Sequence, residues 1–206
     1  MKKQQSGFTL VEIAIVMVII GLLLGGVLKG QEVITNAKIK NVNNDFSAIS
    51  AAMYSYQDRY RALPGDDQLA NVHVNATVTT EEGDGNGIID DLYNSTTAND
   101  ESRLFWLHLR MAGLITGDGT AGSATSQTQP TSSFGGIIGI EDTAGATGFG
   151  GLGMVFQSIP WEIALLIETS SGDGAVSNTG SIRTYAATTG NLYSNSDPSV
   201  NLVFDM

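Results

Sequence analysis

Cysteine is absent from this 206-residue chain, so neither a disulfide framework nor thiol chemistry is open to it. Its loops need some other restraint, and a metal ion is one candidate. Histidine occurs only at His73 and His108. No G-x-S-x-G and no H-E-x-x-H pattern is present, and a Ser/His/Asp relay has no supporting motif. Beyond residue 61 the only basic residues are Arg103, Arg110 and Arg183, set against 17 acidic ones, within a net charge of −11. Such a balance argues against a nucleic-acid groove and favours solubility and attraction of cations. Aromatics make up 7% of the chain while glycines number 25, which predicts a loop-rich domain. Gly148-Phe149-Gly150-Gly151-Leu152-Gly153 spells G-x-G-x-x-G, but a strand-like run follows it in place of a helix, so nucleotide binding is not expected. The sequence carries no sign of an enzyme.

What it does carry is a long apolar run. From Phe8 to Leu28 only Glu12 is charged. About 20 such residues, at ~1.5 Å each, span the roughly 30 Å hydrocarbon core of a bilayer. Lys2 and Lys3 precede the run and are expected on the cytoplasmic side. Glu12 is an anomaly there, because a carboxylate in lipid is costly unless paired. A secretory signal would place its small-residue cleavage site after the apolar stretch, and a plain single-pass anchor would need no glutamate.

Gly7-Phe8-Thr9-Leu10-Val11-Glu12, behind a short basic leader, resembles the processing site of type IV pilins and of the pseudopilins of type II secretion. The resemblance implies that a prepilin peptidase cuts between Gly7 and Phe8 and methylates the new amine. Glu12 is then the fifth residue of the mature chain and meets the N-terminal amine of a neighbouring subunit during assembly. Some tip-initiating subunits of the family lack this glutamate, so its presence implies a subunit that joins beneath another. The chain lacks two features that many type IV pilins have: a proline where Lys29 stands, and a disulfide-closed C-terminal loop.

Beyond Lys29 the pattern becomes amphipathic. Ile39, Val42, Phe46, Ile49, Met53, Tyr56 and Tyr60 recur at intervals of three and four, one face of a helix that ends at Leu63-Pro64-Gly65. One helix from about Phe8 to about Arg61, roughly 80 Å long, is therefore expected. Gly21, Gly25, Gly26 and Gly30 give two G-x-x-x-G spacings, which either permit close helix approach or reflect the ordinary glycine content of membrane helices.

Leu63-Pro64-Gly65-Asp66 after a tyrosine-rich helix end resembles a subgroup of pilin-like proteins, in which a Gly/Asn/Asp-rich segment and a Trp-containing helix follow. Here that helix is Asp100–Ala112, closed by Gly113, with Asn99 or Asp100 as the expected N-cap. His108, alone within it, reads as a hydrogen-bonded core residue. Residues Thr116 to Ser133 read as a long exposed loop. Strands are expected at Gly136–Ile140, Leu152–Ile159, Ser181–Ala186 and Val200–Phe204, with a short helix opened by Pro160. The expected organisation is a leader at 1–7, a transmembrane and assembly helix at 8–28, its amphipathic continuation at 29–63 and a globular head at 64–206. The fold class is α+β, a long N-terminal helix packed on a small antiparallel sheet.

The strongest signal outside the membrane helix is Glu82-Gly83-Asp84-Gly85-Asn86-Gly87-Ile88-Ile89-Asp90-Asp91. It follows the first nine positions of an EF-hand-type loop, in which oxygen donors alternate, glycine makes the turn and a backbone carbonyl ligates. Glu82, Asp84, Asn86, the Ile88 carbonyl and Asp90 are the expected Ca²⁺ ligands. Glu82 stands where Asp is usual and Tyr93 where a bidentate Glu is usual, so further ligands are sought elsewhere, from Asp91 or Asp66. Several pilin-like proteins order loops with calcium.

The resulting expectation is a structural pilin-like subunit, not an enzyme, built through its N-terminal helix into a type IV pilus-type filament. The large acidic head with its long loop points to a minor subunit. The alternatives are a pseudopilin of a type II secretion system and a membrane-anchored calcium-binding module that does not polymerise. The expected partners are prepilin peptidase, other pilin or pseudopilin subunits and the inner membrane, with no nucleic acid. Localisation is single-pass in the inner membrane with the head in the periplasm, and then a surface pilus or a periplasmic pseudopilus.

Overall fold

The computed structural model describes residues 9–77, 80–142, 151–171, 181–185 and 199–206. Gly7, Phe8 and residues 148–150 of the glycine-rich hexamer lie outside the described residues. The chain divides into two compact units, Met1–Lys40 and Asn41–Met206. The division falls inside a single helix, α1 (Leu10–Tyr60), which contributes to both.

In the first unit every residue of α1 from Leu10 to Ile34 is exposed, with Leu10 at 91% and Leu22 at 73%. This stretch is long and apolar enough to cross a membrane. A helix apolar all round is at home in lipid or against other helices, not in water. A Cβ placed at Gly21, Gly25, Gly26 or Gly30 would meet nothing within 4 Å.

In the second unit the same helix turns one stripe inward. Val42, Ile49, Ala52, Met53 and Tyr56 are buried, and Phe46 and Tyr60 are half-buried. The intervals of three and four match the expected face. Arg61 ends the helix at φ 58°, its N–H donating to the Gln57 carbonyl at 2.8 Å. Pro64 then removes a backbone donor. Gly65 has φ 95°, and a Cβ there would lie 2.6 Å from the Glu101 carbonyl oxygen, so only glycine lets this turn approach the next long helix.

After the short α2 (Ala70–His73), that next helix is α3 (Glu101–Met111). Six consecutive residues, Leu104 to Leu109, are fully buried, so α3 is enclosed on every side. Each large apolar side chain so buried contributes about 1.5–3 kcal/mol. Gly113 (φ 69°) stops it in a Schellman turn, with Leu114 N–H to the Leu109 carbonyl at 3.0 Å and Gly113 N–H to the Arg110 carbonyl at 3.0 Å. The expected side-chain cap is corrected. Asp100 is the N-cap by position, but its carboxylate bonds Ser95 Oγ, and Asn99 pairs with Gln127. The first N–H of α3, that of Glu101, donates to Asp91 Oδ2 at 2.8 Å.

The sheet comprises β1 (Ile138–Asp142), β2 (Leu152–Pro160), β3 (Ile182–Thr184) and β4 (Ser199–Asp205), in the order β1-β2-β4-β3 and antiparallel throughout. Pro160, expected inside the first turn of a helix, closes β2 instead, and α4 (Trp161–Ser171) begins one residue later. Ile140 pairs with Met154, Met154 with Phe204, and Phe204 with Ile182. The β2–β4 register shifts between Phe156 and Ile159, where Ser158 takes φ 60°. Both faces are covered. On one, Phe204 meets Phe46 of α1 at 4.9 Å and Phe156 at 5.1 Å. On the other, Tyr93, Val155 and Val203 form a cluster with Ile137 and Tyr185. This explains why Gly153–Phe156 is buried without alternation. The architecture is α+β and pilin-like, a long apolar N-terminal helix with a small antiparallel four-stranded sheet.

The segment Thr116–Ser133 is irregular, as expected, but not simply exposed. Ser126, Gln127 and Ser132 are buried. Arg110 Nη1 and Nη2 donate to the Ser126 and Thr128 carbonyls at 2.5 and 2.7 Å, and Arg103 Nε donates to the Gln127 carbonyl at 3.2 Å. Two of the head's three arginines thus hold this loop by its backbone.

Candidate functional site

Two arrangements carry the expected site residues, one in each unit. In the first, Thr9 precedes α1, and both its N–H and its hydroxyl donate to Glu12 Oε2 at 2.8 Å, while Glu12 N–H reaches Thr9 Oγ1 at 3.3 Å. This is a capping box, the reciprocal pairing of an N-cap Thr with a glutamate three residues on. Glu12 thus has a hydrogen-bond partner within its own chain. Thr9-Leu10-Val11-Glu12 has the T-x-x-E spacing ahead of an apolar run, a signal open to sequence reading. Both bonds end on Oε2, and no donor among the described residues reaches Oε1.

In the second unit, the loop that follows Glu81 folds over the turn at the end of α1. Asp66, which is buried, collects three backbone donors from it: Gly85 N–H at 2.6 Å and Asn86 N–H at 3.1 Å on Oδ1, and Gly87 N–H at 2.7 Å on Oδ2. Glu101, in the first turn of α3, accepts Asp84 N–H on Oε1 and Asp90 N–H on Oε2, both at 3.1 Å. The carboxylates of Asp66, Asp84 and Glu101 offer oxygens that all lie within 4.8 Å of one another. Asn86 ties in Asp90, its Nδ2 donating to Asp84 Oδ2 at 3.0 Å and Asp90 Oδ2 at 2.9 Å, while its Oδ1 accepts Ile88 N–H at 2.8 Å.

Asp84 and Asp90 are therefore tied together through the Asn86 amide nitrogen, while the Asn86 amide oxygen is taken by Ile88 N–H. Glu82 does not join the three-carboxylate group, and the side chain of Ile88 is exposed. Of the two further donors sought, Asp66 enters the group, whereas Asp91 is engaged at the start of α3. Glu101 was not foreseen. It comes from another element, and only its place in the first turn of a helix, with no spacing signal, could have pointed to it.

Burial raises the Asp66 pKa above the ordinary carboxylate value, against the lowering effect of the Gly87 and Gly85 N–H groups. Burial also raises that of Glu101, against the Asp84 and Asp90 N–H groups and with the help of the Asp66 and Asp84 charges. Hard oxygens from three separate segments are the donor chemistry that suits Ca²⁺.

His108 stands beside this site as a structural group. It is fully buried, accepts Gly65 N–H on Nδ1 at 2.9 Å and meets the Glu81 carbonyl from Nε2 at 2.8 Å, so the neutral tautomer carries its proton on Nε2. Burial lowers its pKa. His73 Nδ1 lies 2.7 Å from Asp67 Oδ2, which also accepts the Tyr56 hydroxyl at 2.7 Å.

The geometry defines a class of protein: a membrane-capable apolar helix, capped by a Thr/Glu pair, that leads into an α+β head. Comparison then identifies its N-terminus. A family model described as the prokaryotic N-terminal methylation motif matches residues 2–28, and the chain thus carries the signature of type IV pilins and pseudopilins. Neither curated proteins nor solved structures give a match to the chain.

Proposed function

We propose that this chain is a structural subunit of a type IV pilus-type filament. It is cut between Gly7 and Phe8 by prepilin peptidase, methylated, held in the inner membrane with its head in the periplasm, and added as a minor subunit through α1. The observation that carries the reading is the capping box at the head of an apolar helix whose residues from Leu10 to Ile34 are all exposed. Thr9 orients the Glu12 carboxylate and leaves Oε1 for a donor from outside the chain, and the methylated amine of a neighbouring subunit is such a donor. In lipid this pairing removes the cost of an isolated charge.

The test separates capping from charge. Glu12→Gln keeps a side chain that can accept from Thr9 but loses the charge, whereas Glu12→Ala loses both. Both variants are expected to be processed and to remain in the membrane fraction, yet to be missing from sheared filaments that contain the parent protein. Filaments that incorporate both variants at parental levels, or a parent that never appears in them, would sink the reading. Recovery in crosslinked periplasmic pseudopili instead would assign the subunit to secretion.

The same subunit, we propose, uses Ca²⁺ to fasten the 82–90 loop. The support is the convergence of Asp66, Asp84 and Glu101 with Asn86 and Asp90 alongside. These residues would hold the ion, and the ion would offset the repulsion among their charges. Calorimetric titration of the chelator-treated full chain in detergent micelles is expected to give heat and a raised melting temperature with Ca²⁺. Asp84→Ala and Asp66→Ala are expected to abolish both effects, and Glu82→Ala to preserve them. No heat and no thermal shift from the parent chain would end this reading.

A further inference from the structure

Asparagine followed two residues on by serine or threonine, with no proline between, is the acceptor pattern for N-linked sugars. The chain has it twice, at Asn75-Ala76-Thr77 and at Asn94-Ser95-Thr96. An enzyme that uses the pattern must reach two groups at once: the asparagine amide that is modified and the hydroxyl that marks it. A folded chain offers such a site only where both groups point outward and neither is already engaged.

The two places differ on that point. Around Asn94 the side chains alternate: Tyr93 is buried in the cluster against the sheet, Asn94 is exposed, Ser95 is half-buried and Thr96 is exposed. The backbone is fixed from the inner side. Ser95 N–H closes a turn on the Leu92 carbonyl at 3.0 Å, and Gln129 Nε2 donates to the Ser95 carbonyl at 2.8 Å. Ser95 Oγ bonds Asp100, and Arg103 Nη1 holds the Thr96 carbonyl at 2.7 Å. Asn94 and Thr96 are thereby left on the outer side together, and among the described residues no hydrogen bond engages the Asn94 amide or the Thr96 hydroxyl. Asn75 is also exposed, but it sits at φ 61° in the turn after α2, between Val74 and Ala76, which are both buried. Its marker, Thr77, is taken up by Glu81. Thr77 N–H donates to Glu81 Oε2 at 2.9 Å, the Thr77 carbonyl accepts Glu81 N–H at 3.0 Å, and the Thr77 side chain bonds the same carboxylate.

We propose that Asn94 is an N-glycosylation site of the folded head and that Asn75, which has the same motif, is passed over. The co-substrate is a sugar activated as a diphosphate, brought by a separate transferase. Asn94 Nδ2 bonds to the anomeric carbon of the sugar as the bond from that carbon to the phosphate oxygen breaks. The leaving diphosphate keeps the electron pair, Nδ2 gives up one proton to a base of the transferase, and nothing is oxidised or reduced. The product is a neutral, hydroxyl-rich group on the loop that leads from Tyr93 into α3, in a head whose other solubilising groups are mostly carboxylates. Such a site needs only a folded head that meets the transferase, whether or not the chain polymerises and whether or not a cation binds.

The test offers both motifs to one enzyme. The full chain in detergent micelles is incubated with a transferase that reads Asn-x-Ser/Thr and with nucleotide-activated glucose. Mass spectrometry follows the added hexose on peptides spanning residues 75 and 94. Synthetic peptides covering each motif are the unfolded references, and each rate in the folded chain is divided by that of its own peptide. On this scale Asn94 is expected to react about tenfold or more faster than Asn75, because the Thr77 side chain must first give up a hydrogen bond to a charged group. Thr96→Val, a change at an exposed side chain, is expected to remove the product at Asn94. Protein recovered from its own cell envelope is expected to carry sugar at residue 94 and none at residue 75. A single hexose there marks a nucleotide-linked donor, and a preassembled oligosaccharide marks a lipid-linked one. A folded chain that reacts at Asn75 as fast as at Asn94, or native protein unmodified at Asn94, overturns the proposal.

Discussion

Replacing His108 by leucine should unfasten the junction between the end of α1 and the loops around it. The imidazole is enclosed, and it joins two segments 16 residues apart in sequence, bonding Gly65 N–H at 2.9 Å and the Glu81 carbonyl at 2.8 Å. Leucine fills similar space and leaves both backbone groups buried without a partner. Each such group costs ~1–3 kcal/mol. The sum is about 2–6 kcal/mol, against a typical total domain stability of ~5–15 kcal/mol. For a domain of this size ~3 kcal/mol corresponds to a fall in Tm of about 6–12 °C. The assay is thermal unfolding of the full chain in micelles followed by tryptophan fluorescence, since Trp106 is fully buried two residues away. His108→Gln, with one donor and one acceptor at its tip, should recover part of the loss. A leucine variant within about 1 kcal/mol of the parent, or a glutamine variant no better than leucine, would refute the reasoning. The pH dependence is a second reading of the same bond. The folded pKa of His108 lies below its ordinary 6.5, so below that pH the unfolded chain binds the extra proton first. His108 stability is therefore fully present above 6.5 and lost as pH falls toward the folded pKa, at up to ~1.4 kcal/mol per pH unit. The carboxylates with raised pKa, Asp66 and Glu101, have the opposite sign. The difference between parent and His108→Leu isolates the histidine.

Gly65→Ala should lose about 2 kcal/mol or more, because an L side chain is strained at φ 95° and its Cβ would press on the Glu101 carbonyl and Ile89 Cδ1 at 2.8 Å; urea unfolding measures it. Arg110→Met keeps the aliphatic stem and removes two charged bonds to the Ser126 and Thr128 carbonyls, so it should cost about 2–3 kcal/mol. Limited proteolysis should then cut within residues 117–128 well before the rest of the head, and an unchanged digestion pattern would count against the arginine clamp.

Features written in local periodicity were legible in the sequence. The stripe Val42, Ile49, Met53, Tyr56 fixed the buried face of α1, and Pro64 with Gly65 fixed its end. Short apolar runs located all four strands to within two residues or so. What could not be read was the pairing of distant segments. The order β1-β2-β4-β3 places β4 between β2 and β3, and no run of residues announces that. Thr116–Ser133 has the composition of an exposed loop, and it becomes half-internal only because Arg103 and Arg110 reach across to its carbonyls. At the loop site, Asp84, Asn86 and Asp90 follow a local spacing and are linked through the Asn86 amide nitrogen, whereas Glu101 belongs to another helix and is recruited through the backbone of residues 84 and 90. The Thr9–Glu12 pair was legible in principle.

The head's acidity has a structural meaning that composition alone does not suggest. A domain without cysteine must hold long irregular segments in place by other means, and here carboxylates serve as acceptors for loop N–H groups. Glu81 takes Thr77 N–H at 2.9 Å and Gly122 N–H at 2.7 Å, joining two loops 45 residues apart. Burial pushes its pKa up, but these N–H groups, beginning with that of Thr77, outweigh it and leave the pKa below the ordinary value of 4.5. Glu141 does the same for Tyr93 N–H at 2.7 Å, and Asp91 for the first turn of α3. Asp66 and Asp67, adjacent in sequence, divide the work: one gathers the 85–87 backbone, the other takes Tyr56 of α1, His73 of α2 and the Leu69 N–H. Acceptors of this kind need no basic partner, which is why three arginines suffice beyond residue 61. Where the N–H donors outweigh burial, as at Glu81, acid weakens the loops that the carboxylate joins. Glu81 contributes stability that is present above 4.5 and is lost as pH falls through its folded pKa, so hydrogen exchange should report exposure of the Thr77 and Gly122 N–H groups before the sheet gives way.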